Sequence, residues 1–141
     1  MSQALIWEVI KNNHSALRKA KNAKFSTEKG NLLGLHAFKF SGFANEKVVD
    51  ISAAKKSKKD TKGALGLVMS VKSTKAAKAN KPAKAFNVLA LKKGSRRSVK
   101  TVSKLIEKYR PDLKKTALIR VSKLYRGLNN VKKAPAAAAK N

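Results

Sequence analysis

The side chains of this sequence best suited to bind a ligand are basic residues that recur at helical spacing. Arg96, Lys100, Lys104 and Lys108 recur every four residues, so they form a stripe along one side of a predicted helix. Their cationic groups suit phosphate oxygens, because each such contact releases counterions from a nucleic acid. The lysine-rich composition favours contacts with backbone phosphates over the reading of bases.

A second set of cations lies in a segment without apolar periodicity. In residues 72–84 the lysines are spaced by three, and an extended chain with about three residues per turn aligns them on one side. The segment equally fits a solvated loop when no partner is bound. Trp7 fits either the edge of a core or a surface indole that stacks on a base. The candidate contacts are Arg96, Arg97, Lys100, Lys104, Arg110, Arg120, Lys72, Lys75, Lys78, Lys81, Lys84 and Trp7.

The overall charge indicates the class of partner. The chain of 141 residues carries 34 Lys and Arg against 7 Asp and Glu, a formal net charge of +27. A free globular protein with this charge repels itself, and a polyanion relieves that repulsion. The cations are spread over the whole chain, whereas a peripheral membrane protein concentrates them on one helix or patch. We therefore expect a nucleic-acid partner and no membrane.

No set of residues with catalytic or metal-binding spacing is present in the sequence. There is no cysteine, the two histidines stand in different segments, and the acids are scattered. No glycine-rich loop ends in Lys-Ser or Lys-Thr, as a phosphate loop does. No apolar run approaches the roughly 20 residues of a membrane span, and the N-terminus lacks a signal-peptide pattern. We expect no enzymatic activity, metal, cofactor or small-molecule substrate.

The elements that must position the cations form an α+β fold. We expect a small antiparallel or mixed sheet, a short N-terminal helix and two C-terminal amphipathic helices. Ser2 suits the cap of the first helix, in which Leu5, Ile6, Val9 and Ile10 share a face. A hairpin is predicted over residues 16–27 and a loop over 28–35. Further strands are predicted at 36–40, 47–52, 63–72 and 85–91 from their apolar alternation.

The two C-terminal helices are predicted over residues 94–127 with a hinge at Arg110-Pro111. The first has its apolar face opposite the basic stripe, and the second has an apolar seam that includes Leu113, Ala117 and Val121. Pro111 suits the first helical position, and Gly127 suits a C-terminal stop. We therefore predict one domain over residues 1–127, with basic loops at 53–62 and 72–84, followed by a flexible Lys- and Ala-rich tail at 128–141.

Several of these residues resemble one family in the same order along the chain. The marks are Trp7 and Asn12, Phe25-Ser26-Thr27-Glu28, Asn31-Leu32, Phe38-x-Phe40-x-Gly42, Lys108-Tyr109-Arg110-Pro111-Asp112-Leu113, and then Ala117 and Arg120. The sequence resembles the eukaryotic large-subunit ribosomal protein family numbered twenty-eight, which is unrelated to its bacterial namesake. The resemblance covers about residues 2–126, although residues 53–92 and the tail match poorly.

The resemblance implies a structural constituent of the large (60S) cytosolic ribosomal subunit. It implies contacts with ribosomal RNA and neighbouring ribosomal proteins, a role in translation, and a location on the cytoplasmic ribosome after nucleolar assembly. A ribosome-assembly factor with a related domain is an alternative, but that relative has cysteines near its N-terminus.

Two further alternatives concern other partners. The Lys/Ala/Pro tail suggests a linker-histone-like chromatin protein, but its winged helix places three helices before a hairpin. The other alternative is a basic module that binds acidic proteins. Salt titration of RNA binding distinguishes it from an RNA-binding protein, because many phosphate contacts give a steep dependence on salt.

Overall fold

Helices and strands of the chain were located in a computed structural model, which describes residues 2–54, 66–74, 81 and 84–138. These residues contain three α-helices, five strands in two small antiparallel sheets, and two 3-10 turns, which confirms the α+β prediction. The helices are α1 (Gln3–Ile10), α2 (Ser95–Tyr109) and α3 (Lys114–Ala138); the strands are β1 (Leu17–Lys19), β2 (Lys24–Ser26), β3 (Val49–Ala53), β4 (Leu67–Lys72) and β5 (Phe86–Leu91); the 3-10 turns are Phe38–Phe40 and Pro111–Leu113.

The strands pair as a hairpin and as a three-stranded sheet. In the hairpin Leu17 lies opposite Ser26 and Lys19 opposite Lys24, so the predicted hairpin is confirmed. The second sheet has the strand order β3-β4-β5. Backbone bonds from Ala54 N to Gly66 O and from Lys72 N to Val48 O, both 2.9 Å, give β3 and β4 an antiparallel register. The strands predicted near 47–52, 63–72 and 85–91 are therefore confirmed where the structure describes them.

The chain divides into two units, which are described separately. The first consists of Met1–Asp50 and Ser70–Val88, and the second of Ile51–Met69 and Leu89–Asn141. The predicted single domain over 1–127 and the flexible tail over 128–141 stay predictions. Most of the predicted loop 53–62 lies outside the described residues, as do residues 75–80 and 82–83 of the predicted loop 72–84.

A buried carboxylate organises the loop that follows the hairpin in the first unit. Glu28 is 7% exposed and accepts hydrogen bonds from the hydroxyls of Ser26 and Ser41, at 3.0 and 3.2 Å, and from the amide of Phe43 at 3.2 Å. A buried carboxylate that is saturated in this way holds its donors in one arrangement. These contacts join the hairpin to residues fifteen positions later and so fix the course of the loop.

Two backbone positions in the same loop require glycine. Gly30 has φ +95°, and a Cβ built on it overlaps the Val48 side chain. A Cβ on Gly42 overlaps the carbonyl oxygen of Lys29. The amide of Asn31 then closes the turn, because its Nδ2 donates to Leu35 O and its Oδ1 accepts from Gly34 N, both at 2.8 Å.

The second unit buries the apolar faces predicted for the C-terminal helices. Val102 and Ile106 of α2 and Ala117 and Val121 of α3 have no exposed surface. The two helices pack against each other and are separated by Arg110, whose backbone (φ −149°, ψ 80°) is not helical. Pro111 begins the 3-10 turn that leads into α3, as the hinge prediction required.

Two predictions about local structure are wrong. Residues 36–40 do not form a strand: Phe38–Phe40 is a 3-10 turn, because the amides of Phe40 and Ser41 turn back to the carbonyl of Ala37. Helix α3 does not stop at Gly127 but continues to Ala138. The N-terminal helix forms as predicted, with Leu5 and Val9 exposed and no residue of α1 buried.

Candidate nucleic-acid interface

The outer side of α2 carries the predicted basic stripe. Arg96, Arg97, Lys100 and Lys104 are all exposed, while Val102 and Ile106 on the other side of the helix are fully buried. Within the described residues, none of these four cations forms a salt bridge. The burial of the apolar side therefore orients a row of solvated cations outward from one rigid helix.

The first turn of α2 adds a second source of positive potential. Gly94 is the N-cap and offers no side chain to the first amides, and the first turn has no acidic residue. These amides and the helix dipole favour an anion at this end. An open surface depression of about 400 Å³ is lined here by Lys93, Gly94, Ser95, Arg96 and Arg97.

A partly buried hydroxyl network holds this end of α2 against α3. Ser98 is 1% exposed, and its Oγ donates to Lys93 O at 2.9 Å. The Tyr125 hydroxyl lies 2.8 Å from Ser98 Oγ and 2.7 Å from Lys93 O. Sequence reasoning did not identify this pair of hydroxyls. The available signal was the spacing by four of Ser98, Val102 and Ile106, which places a serine on the apolar face.

Two other predicted contacts of the second unit are already engaged within the protein. Arg110 forms a two-pronged ion pair with Asp112, with Nε to Oδ1 at 3.2 Å and Nη2 to Oδ2 at 2.8 Å. The Arg120 Nε approaches Ile51 O at 3.5 Å, and its side chain is half-buried. A phosphate at Arg110 would compete with Asp112, so this arginine is less available than the α2 cations.

The lysines predicted over residues 72–84 have different settings. Lys72 lies in β4, is half-buried, and donates from Nζ to Asn45 O at 3.2 Å. Lys81 and Lys84 are exposed. Lys75 and Lys78 lie outside the described residues, so the proposed row along one side of this segment stays a prediction.

Trp7 belongs to a row of five aromatic rings in the first unit. Its ring centroid lies 5.9 Å from that of Phe38 and 4.9 Å from that of His36. His36 is followed by His14 at 5.4 Å and then Phe43 at 5.6 Å. The His36 Nε2 also donates to Lys11 O at 2.7 Å. Trp7 is therefore a half-buried side chain that packs on other rings of the first unit. Its stacking on a nucleic-acid base stays a prediction.

Among the residues that the structure describes, no group of three or more His, Cys, Asp or Glu side chains is placed to hold a metal ion. No described helix combines the length and the apolar character that crossing a membrane requires.

Comparison with known proteins identifies the family. The profile of the Ribosomal L28e protein family matches residues 5–127, which is most of the chain. The chain belongs to this family. Similar proteins include the large ribosomal subunit protein eL28 of Dictyostelium discoideum, 31% identical over 99% of this chain and 98% of that protein. The eL28 of Caenorhabditis elegans is 48% identical over 40% of this chain and 46% of that protein.

Family membership makes the chain a eukaryotic ribosomal protein and a structural constituent of the large subunit, with its place in translation and on the cytoplasmic ribosome. It implies association with large-subunit RNA and other ribosomal proteins. The family is structural and is not known for enzymatic activity. The resemblance read from the sequence is confirmed.

Proposed function

We propose that the protein binds ribosomal RNA of the large subunit through phosphate contacts centred on the outer side of α2. The observation that carries this proposal is a set of four exposed cations on a helix whose opposite side buries Val102 and Ile106: Arg96, Arg97, Lys100 and Lys104. Folding therefore fixes the backbone positions of these cations before RNA arrives, so only their side chains have to be ordered when they bind.

Charge and helix direction support the same surface. The cations begin at the N-terminal end of α2, where first-turn amides without a side-chain cap also favour an anion. Lys93, Arg96 and Arg97 border an open depression that gives a phosphate group access to that end. A phosphate placed there meets side-chain cations and backbone donors together.

The finer parts of the proposal concern where and how the protein acts. It joins the subunit during nucleolar assembly, lies beside other ribosomal proteins, and performs no reaction itself. The scattered acids and the lack of a cysteine support this non-catalytic role. Lys81, Lys84 and Trp7 are further RNA contacts in this proposal, and Lys72 and Arg120 contribute charge from half-buried positions.

The salt dependence of RNA binding tests the α2 surface. The full chain is titrated with a large-subunit rRNA fragment over a range of salt concentrations, and the slope of log K against log salt is measured. Because each phosphate contact contributes about 0.7 to 0.9 to the slope, the variant Arg96→Gln/Arg97→Gln/Lys100→Gln/Lys104→Gln should lose about 3 units.

The control removes the same charge from the hairpin, where four cations are also exposed. It carries Arg18→Gln, Lys19→Gln, Lys21→Gln and Lys24→Gln. We expect it to lower the slope by less than half as much. Equal losses in the two variants would mean that binding follows net charge alone, and the assignment to α2 would then be rejected.

A further inference from the structure

Helix α1 has two apolar sides, and only one of them faces the protein. Trp7 packs on His36 and Phe38 within the first unit. At 100° per residue, Leu5 and Val9 lie about 160° around the helix from Trp7. They are 54% and 73% exposed, and no residue of α1 is buried. A helix that is apolar on both sides is typical of an element covered on both sides.

The charge around this helix separates it from the rest of the molecule. Residues 1–10 contain no lysine or arginine, which is the longest such run in a chain of net charge +27. The charged side chain of α1 is Glu8, which pairs with Lys11 just beyond the helix. A phosphate approaching Leu5 and Val9 would therefore meet apolar surface and a carboxylate, with no cation on the helix to replace its counterions.

The same charge pattern favours a basic protein as the occupant. Proteins that bind the same polyanion tend to be positively charged, as this chain is. Most of their surfaces therefore repel one another. The outer side of α1 lacks that repulsion and offers aliphatic side chains that gain free energy when they leave water. It is thus a place where a second basic protein can make contact without an RNA bridge.

We propose that the outer side of α1, formed by Leu5 and Val9, is a docking surface for an apolar patch on a neighbouring basic protein of the large subunit. This goes beyond the RNA-binding proposal and does not depend on α2. The contact is apolar, so high salt does not weaken it, whereas phosphate contacts weaken steeply with salt.

A photo-crosslinker at position 9 tests the identity of the occupant. The full chain with p-benzoylphenylalanine in place of Val9 is assembled into large subunits, which are purified and irradiated, and the adduct is identified by mass spectrometry. An adduct with another protein of the same subunit supports the proposal. An adduct with rRNA, with a second copy of the chain or within the chain, or no adduct at all, overturns it.

Retention on the subunit tests the energetic role of this surface. Leu5→Gln/Val9→Gln should weaken retention in a high-salt wash about thirtyfold, because the two residues still have 54% and 73% of their surface to bury. The matched control Leu105→Gln/Ile119→Gln replaces side chains that are 42% and 44% exposed on the other two helices and should be retained like the unchanged protein. Equal retention of both variants overturns the proposal.

A separate measurement distinguishes failure of this proposal from failure of the RNA-binding proposal. Leu5→Gln/Val9→Gln should bind the isolated rRNA fragment with unchanged affinity and salt slope, and it should melt at the same temperature as the unchanged protein. A large loss of either property would show that the two side chains act within the protein or on RNA, which contradicts docking to a protein.

Discussion

Removing the Tyr125 hydroxyl tests how the basic end of α2 is held in place. The change Tyr125→Phe keeps the ring and removes one hydroxyl from a partly buried network of three oxygens: Tyr125 Oη, Ser98 Oγ and Lys93 O. The three separations are 2.7, 2.8 and 2.9 Å, yet the two hydroxyls have only one proton each. At any moment two of the three pairs can therefore be full hydrogen bonds.

The size of the effect follows from what each variant leaves behind. In Tyr125→Phe the Ser98 hydroxyl still donates to Lys93 O, and in Ser98→Ala the Tyr125 hydroxyl can do so. Each single change therefore removes about one hydrogen bond, worth about 1 kcal/mol of the free energy of unfolding. The double variant removes both hydrogen bonds, and water can reach the carbonyl of the exposed Lys93, so it should lose about 2 kcal/mol, the sum of the two single losses.

Urea unfolding of the unchanged protein, the two single variants and the double variant measures these losses as a double-mutant cycle. The single variants should also melt about 3 °C lower and the double variant about 6 °C lower. Thr101→Ala is the control, because its exposed hydroxyl bonds only within its own helix, to Arg97 O at 3.0 Å, and its loss should change the stability by less than about 0.5 kcal/mol. A double variant that loses clearly less than the sum of the two single losses would mean that all three pairs are hydrogen bonds at once, which would refute the shared-proton argument.

Three further predictions concern the loop, the long helix and the hinge, each measured as the free energy of unfolding in urea. Gly30→Ala should lose about 3 kcal/mol, because Gly30 has a positive φ and the new Cβ overlaps a neighbouring side chain. Gly127→Ala should instead gain about 0.5 kcal/mol, because Gly127 lies in a helix and no described atom beyond that helix is within 4 Å of the new Cβ. A loss of stability in Gly127→Ala would argue against a helix at that position. Glu28→Ala should lose about 3 kcal/mol, because three donors lose their acceptor. The control Glu46→Ala removes an exposed carboxylate and should change the stability by less than about 0.5 kcal/mol. Equal losses in these two variants would contradict the role given to the buried carboxylate. Pro111→Ala should loosen the junction of α2 and α3 and lose about 1 kcal/mol, and unchanged stability would show that the proline does not fix it.

The parts of the fold that could be predicted from sequence are those in which periodicity and burial agree. Val102 and Ile106 recur at helical spacing opposite the cations, and the structure buries them completely. The turn between Lys19 and Lys24 and the break at Pro111 follow from local backbone preferences. Such signals act over a few residues and do not depend on distant partners.

The wrong predictions arise where distant contacts or weak local signals decide the structure. Phe38 and Phe40 alternate as in a strand, but Asn45 Nδ2 donates to Phe38 O at 2.6 Å and Trp7 packs on the Phe38 ring, which favours a tight turn. Gly127 is tolerated within a long helix, since a single glycine costs only about 1 kcal/mol relative to alanine. The sequence shows neither of these balances.

The candidate site was predictable as a surface but not residue by residue. The spacing of the α2 cations was enough to place them outward. Residue spacing could not show that Arg110 forms an ion pair with Asp112, or that Lys72 donates to Asn45 O, because these pairings depend on the folded backbone. Charge patterns therefore predict which side of a helix is basic, whereas the availability of each cation requires the structure.

The pairing of Ile51 with α3 has a consequence for the synthesis of the protein. Arg120 approaches the Ile51 carbonyl from 69 positions later in the chain, and the buried Ala117 and Val121 come from the same late segment. At 5–20 residues per second, a nascent chain waits about 3–14 s between making Ile51 and making Arg120. During that interval the early apolar residues of the second unit lack their covering helix while many lysines have already been added. A newly made chain of this kind therefore presents apolar and cationic surface together until α3 has emerged.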